Sequence, residues 1–223
     1  MNNILKVAGL SVLLLSANVM AEENVSATAK ADGFYLGAGG GTTFGLSFLS
    51  IGNYQDNTST YDTGYLGDSS FGYIFYGGYQ FNKIIAVEAA YTDYGSFSDS
   101  LRDTVTNRDM TVSTDPTSMS VYANAGYTFG NGLRPFIQLG LGYVQINGST
   151  IADNIGLDDS LAMRFGLGLE YAPVSLAGFG FRVSYVEDVA MDMSYSSDNN
   201  GNDTSTLLMN INGMLYVGAQ YKF

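Results

Sequence analysis

The last seventeen residues, LLMNINGMLYVGAQYKF, constrain this chain most. Counting back from Phe223 in steps of two gives Tyr221, Ala219, Val217, Leu215, Gly213, Ile211, Met209 and Leu207, all apolar, aromatic or glycine. The intervening set is Lys222, Gln220, Gly218, Tyr216, Met214, Asn212, Asn210 and Leu208, mostly polar or small. A period of two puts these sets on opposite faces of one β-strand. The strand is far longer than the ~5–6 residues usual in globular sheets. A long strand that is greasy on one side suits a tilted crossing of a bilayer within a closed barrel.

The same period recurs seven times upstream, in GFYLGAGGGTTFG, FGYIFYGGYQF, IIAVEAAYTDYG, MSVYANAGYTF, PFIQLGLGYVQI, LAMRFGLGLEY and FGFRVSYVED. Between the eight strands the connections alternate in length. The long ones are Leu46 to Asp68, Ser96 to Thr117, Asn147 to Asp159 and Met193 to Ser205; the short ones are turns at Asn82 and Lys83, at Gly130 to Gly132, and at Pro173 to Gly178. Long–short alternation is the signature of an up-and-down meander. The predicted fold is all-β, an eight-stranded antiparallel up-and-down transmembrane β-barrel over residues 33–223. Residues 1–21 combine Lys6, an apolar run from Val7 to Leu15 and small residues at Val19 and Ala21, and read as a cleaved signal peptide. Residues 22–32 form a short periplasmic leader.

Which face looks inward follows from size. The apolar set is bulky in nearly every strand and the other set is mainly Gly, Ala, Ser and Tyr. Eight strands enclose a lumen just wide enough for side chains to fill, so the small and hydrogen-bonding set belongs inside and the bulky set faces lipid. Aromatic residues mark two rims: Phe34, Phe81, Phe129, Tyr171, Phe179, Tyr221 and Phe223 at the short-turn end, Tyr91, Tyr143 and Tyr185 toward the other. Such girdles flank the hydrocarbon band of membrane barrels. Removing Lys6 with the leader leaves eight basic residues against 21 acidic ones, a net charge of −13, which excludes nucleic acid as a partner. Most of the acidic residues lie in or beside the long connections, while Lys30, Lys83, Arg134 and Lys222 mark the short-turn end. The chain has no cysteine, so no disulfide supports the fold.

The alternation puts five charged side chains inside: Glu88, Glu170, Arg164, Arg182 and Lys222. Glu170 and Arg182 flank one short turn and can meet, with Glu88 at a similar height. A salt-bridged plug is the expected arrangement, because an unpaired charge in a narrow lumen costs several kcal/mol. Eleven inward glycines leave two readings: water-filled space, hence a small-solute pore, or room for the inward rings of Tyr35, Tyr76, Tyr122, Phe136 and Tyr216. Catalysis is not expected. Acyl chemistry on lipid usually needs a histidine base, and there is no histidine. No cofactor or metal site is expected either. The acidic groups Asp198 and Asp203 with Asn199, Asn200 and Asn202, and Asp153, Asp158 and Asp159, lack the spacing of a Ca²⁺ loop.

The stretches GFYLGAGGG, GGYQFNKIIAVEAAYTDYG, RPFIQLGLGYVQ, FRVSYVED and LYVGAQYKF make residues 33–223 resemble the eight-stranded outer-membrane β-barrel family of the OmpA-type transmembrane domain, OmpX and the neisserial opacity proteins. The resemblance implies an outer-membrane location, with lipid and lipopolysaccharide as surroundings. It also implies that the closing strand, through Leu215, Val217, Ala219, Tyr221 and Phe223, is read by the outer-membrane assembly machinery. The expected protein is a monomeric scaffold that displays surface loops, with a role in envelope integrity or in adhesion to a host or surface ligand. A small-solute porin is the alternative, and a lipid-modifying enzyme stands behind both.

Overall fold

The computed structural model describes residues 32–53, 59–62, 69–103, 108–148, 159–197 and 203–223. The expected signal peptide and, apart from Asp32, the leader lie outside these residues. The alternating segments form ten strands: β1 (Gly33–Asn53), β2 (Ser59–Asp62), β3 (Ser69–Gln80), β4 (Ile85–Asp93), β5 (Phe97–Asp103), β6 (Arg108–Gly126), β7 (Leu133–Gly148), β8 (Ser160–Tyr171), β9 (Phe179–Ser197) and β10 (Asp203–Lys222). All pairings are antiparallel, β1 with β3 and β4 with β6 passing over the short β2 and β5, and β10 returns to pair with β1 from Tyr35↔Lys222 to Asn53↔Thr204. The strands therefore close into an eight-stave barrel. Two staves are made in pieces, since β2 and β3 share the edge of β1 while β4 and β5 share the edge of β6.

The break between β4 and β5 has a local cause. Tyr94, Gly95 and Ser96 stand opposite only Asp115 and Pro116 of β6, an extra residue on one strand. Pro116 has no amide proton to give a neighbour, and the facing stave is interrupted where that proton would be needed. The Pro116 carbonyl still accepts from the Tyr94 amide at 3.0 Å. Gly95 takes the turn at φ +74° and donates its amide to Asp93 Oδ1 at 2.8 Å.

Three long connections are shorter than the sequence suggests. β1 runs on to Asn53, β6 begins at Arg108, β9 reaches Ser197 and β10 begins at Asp203, so parts of 46–68, 96–117 and 193–205 are strand. Residues 96–117 and 193–205 are mainly polar, which predicts loop, whereas the β1 extension, LSFLSIGN, is largely apolar and precedes a polar run. A ladder needs only backbone groups, and once two staves are in register above the membrane, polar residues continue it. In the other direction, Tyr127 to Phe129, expected as strand, leave the β6 ladder, and the Thr128 amide donates to Lys83 O at 2.9 Å. The short turns use side-chain acceptors: Asn82 Oδ1 takes the amides of Ile84 and Ile85 at 2.7 and 3.0 Å, and Asn131 Oδ1 that of Leu133 at 3.1 Å.

The barrel is inside-out relative to a soluble one. Phe34, Phe71, Ile137, Leu161 and Leu167 are exposed, while Gln80, Glu88, Asn124, Gln138, Arg164 and Arg182 are buried. An apolar belt that encircles the molecule is far larger than a soluble monomer carries and requires a hydrocarbon surround. Unboiled protein is expected to migrate differently from boiled protein in detergent gels, as a closed ladder resists detergent at room temperature. Gly95→Ala should destabilise the barrel by more than the ~1–2 kcal/mol of a side chain in the left-handed region, because its Cβ would also stand 2.6 Å from the Phe71 carbonyl oxygen. Urea unfolding in lipid vesicles reads this as a lower midpoint at unchanged slope.

Candidate functional site: the lumen

The inward face of each stave meets the others along the barrel axis, and its charged members fall into two clusters. In the lower one, toward the short turns, Arg182 of β9 is held by Glu88 of β4 across the lumen. Its Nη1 donates to Glu88 Oε2 at 2.8 Å, and its Nη2 to Glu88 Oε1 at 3.1 Å and to Glu170 Oε2 at 3.2 Å. Glu88 also accepts from Tyr35 OH at 2.6 Å, from Gln138 Nε2 at 3.3 Å and from Asn124 Nδ2. Glu170 accepts from Gln220 Nε2 and pairs with Arg134 at 3.5 Å. The Arg182 guanidinium also lies 4.2 Å from the Tyr76 ring centroid and 4.9 Å from that of Phe136.

The upper cluster is smaller. Arg164 and Asp188 face each other across the β8–β9 ladder, with Nη1 donating to Oδ2 at 2.9 Å. Tyr94 OH donates to the same oxygen at 2.7 Å, and Arg164 Nη2 donates to Thr92 Oγ1 at 3.2 Å. Six positions along β8 separate Arg164 from Glu170, about 20 Å at the rise of a strand. The single network expected from the sequence is therefore divided. Arg164 pairs with Asp188 in the upper cluster, and Glu88, Glu170 and Arg182 join in the lower. Lys222 stands at the short-turn mouth, half-buried, and donates to Gln80 Oε1 at 2.5 Å.

Two members were assigned elsewhere by sequence. Arg134, read as a rim charge, turns into the lumen, where its Nη2 reaches the carbonyls of Ile84 and Asn124 at 3.4 and 3.3 Å. Asp188, counted with the acidic ends of the staves, is completely buried. The alternation of β9 puts Asp188 on the inward face with Arg182, but the expected set of interior charges omits it.

The inward glycines abut rings. A Cβ on Gly37 would enter the Tyr76 ring; on Gly39 it would lie 2.6 Å from the Tyr216 ring, and on Gly168 2.7 Å from that of Phe136. These glycines give the large inward side chains their room. Between the two clusters Val186, two residues below Asp188 on β9, pairs with Met214, and Ile74 pairs with Thr92; all three are fully buried, as is Val144 nearer the long connections.

At the short-turn rim the expected aromatic girdle forms short chains of edge-on rings. Phe34, Tyr79 and Phe81 are linked at 4.7 and 5.0 Å, and Phe179, Tyr221 and Phe223 at 4.9 and 5.1 Å. Phe129 packs on Tyr127 at 5.0 Å, and Tyr171 is half-buried. At the other rim Tyr91 lies 6.4 Å from Tyr73, Tyr143 OH donates to Asp159 Oδ2 at 3.2 Å, and Tyr185 OH donates to Glu187 Oε2 at 2.5 Å. Leu215, Val217, Ala219, Tyr221 and Phe223 all point outward. Asp159 also accepts from the Ile146 amide at 3.1 Å. Asp153, Asp158 and residues 198–202 lie outside the described residues.

The model of the outer membrane protein beta-barrel domain matches residues 8–223. The chain belongs to this family. As an outer membrane barrel it is located in the outer membrane. Among solved structures it is similar to OprG from Pseudomonas aeruginosa, with 14% identity, 88% of this chain and 99% of that one covered, and a TM-score of 0.60. Neisserial surface protein A gives 15% identity, coverage of 87% and 100%, and a TM-score of 0.48; E. coli outer membrane protein W gives 16%, 87% and 99%, and 0.40. No curated protein matches the sequence.

For this outer membrane barrel, Glu88→Ala should cost ~3–5 kcal/mol, because it leaves Arg182 buried with less of its counter-charge. The pair Glu88→Leu with Arg182→Met removes both charges and should recover much of that loss, read by urea titration in the same vesicles.

Proposed function

We propose that this protein is a closed, non-conducting scaffold of the outer membrane, which braces the envelope and holds its acidic connections at the cell surface, where they can meet a host or surface ligand. The observation that carries this reading is the filled cross-section at Arg182. The side chain bridges carboxylates from β4 and β8, lies against the rings of Tyr76 and Phe136, and is buried from solvent. The apolar layer of Ile74, Val186 and Met214, between Arg182 and the Arg164–Asp188 pair, supports it, since an ion crossing that layer would lose its hydration without a substitute. The lumen's charged side chains are paired with one another, an arrangement that stabilises and does not suit acid–base turnover. We infer a non-catalytic protein on that ground and on the lack of a histidine base.

The outward row Leu215, Val217, Ala219, Tyr221 and Phe223 on β10 is the segment we assign to the assembly machinery. It is exposed along the closing strand, while the inward residues of that strand are committed to the lumen.

Planar-bilayer recordings on reconstituted protein test the reading. The wild type is expected to give no steady conductance, and Arg182→Ala should lower stability without opening a channel, because the apolar layer remains. Large, steady currents through the wild type would overturn the scaffold reading in favour of a small-solute pore.

A further inference from the structure

At one level of the barrel, five neighbouring staves carry small inward residues. Ala90 on β4 pairs with Ser120 on β6, Ser120 with Gly142 on β7, Gly142 with Ala162 on β8, and Ala162 with Ala190 on β9. Around this row, three buried oxygens have no hydrogen-bond partner within the protein: Ser118 Oγ, Ser120 Oγ and Asp188 Oδ1. All three residues are at least nine-tenths buried. Two of them lie beside Gly142. A Cβ built there would stand 3.2 Å from Asp188 Oδ1 and 3.2 Å from Ser118 Oγ, with Ser120 Cβ at 3.5 Å. The glycine thus leaves a carboxylate oxygen and a hydroxyl facing its bare Cα, with the Ser120 side chain next to them.

Leaving buried polar atoms without partners is costly, and native proteins supply partners for nearly all of them. The group that satisfies these three must donate to a carboxylate and can accept from the hydroxyls, which both donate and accept. We propose that Gly142, Ser118, Ser120 and Asp188 form a buried water site. One water molecule donates to Asp188 Oδ1 and accepts from the Ser118 and Ser120 hydroxyls, in the space the glycine leaves. Three polar partners are the usual number for an internal water. A metal cation does not fit as well. The charge of Asp188 is already matched by Arg164 at 2.9 Å, and three oxygens fall short of the six to eight a calcium ion takes. The water joins the hydroxyls of β6 to the ion pair between β8 and β9, and so ties together staves that do not touch through their backbones at this level.

The test is a crystal structure of the full chain at a resolution that shows solvent, together with a thallium(I) soak and two variants. The wild type should show one solvent peak within hydrogen-bond distance of Asp188 Oδ1 and both serine hydroxyls, with no anomalous signal from thallium. In Gly142→Ala the methyl group should displace it. Ser118→Ala with Ser120→Ala enlarges the space but removes two of the three partners, and the peak should again be lost. A wild-type site without a peak, a thallium signal at that point, or a peak that survives in the double serine variant would each overturn the proposal.

Discussion

The structure depends on the pairing of β10 with β1. In hydrocarbon an unpaired amide or carbonyl has no water to turn to and costs several kcal/mol, so a sheet can cross a membrane only if it has no edge. The β1–β10 ladder runs from Tyr35↔Lys222 to Asn53↔Thr204, nearly the full length of both strands. It continues past the short turns, where the Phe223 amide donates to Phe34 O at 2.8 Å and the Lys222 amide to Gly178 O at 2.9 Å. With the backbone satisfied by closure, side chains are free to be sorted by medium. The bulky apolar set meets lipid and the polar set is enclosed.

Enclosure brings its own demand. A lumen lined by Glu88, Glu170, Arg134, Arg164, Arg182 and Asp188 holds three carboxylates and three guanidiniums, and each is stable there because the others are within reach. The planar fork of Arg182 allows it to serve Glu88 with two nitrogens while one of them also reaches Glu170, and its flat faces meet aromatic rings. A lysine would supply the charge without that geometry. The ion pairs also link staves distant in sequence: Glu88 and Arg182 lie on opposite sides of the strand order, β4 and β9. Side-chain bonds thus brace across the axis what the backbone ladder joins only around the circumference.

The fold was legible because a barrel repeats one simple rule. A period of two gives each strand its faces, and alternating connection lengths give the up-and-down order. The rule assigns a face but not a partner. It put Glu88, Glu170, Arg164 and Arg182 inside, yet it could not divide them into two clusters, because depth depends on the stagger between staves. Arg134 was misplaced because it sits beside a turn, and a long side chain can fold back from a rim into the lumen. The extensions of β6, β9 and β10 were hidden by their polar composition, and that of β1 by the polar residues that follow it. Sequence patterns report the medium a side chain meets, whereas a ladder needs only backbone groups, so it goes on where the alternation fades.

The layering of the lumen, two charged clusters with apolar side chains between them, follows from what the glycines permit. Gly37, Gly39 and Gly168 make room for the rings of Tyr76, Tyr216 and Phe136, and two of those rings, Tyr76 and Phe136, flank the Arg182 guanidinium. Desolvation makes a buried cation costly, and aromatic faces offset part of that cost where water cannot reach. Between the Arg182 cluster and the Arg164–Asp188 pair, Val186, Ile74 and Met214 fill the bore directly and need no such partners. The charged layer fixes which staves stand opposite one another, and the apolar layer keeps solvent from competing for its hydrogen bonds from above. Each layer is therefore a condition for the other, and the inward glycines, which look like gaps in the sequence, let both be packed into so narrow a bore.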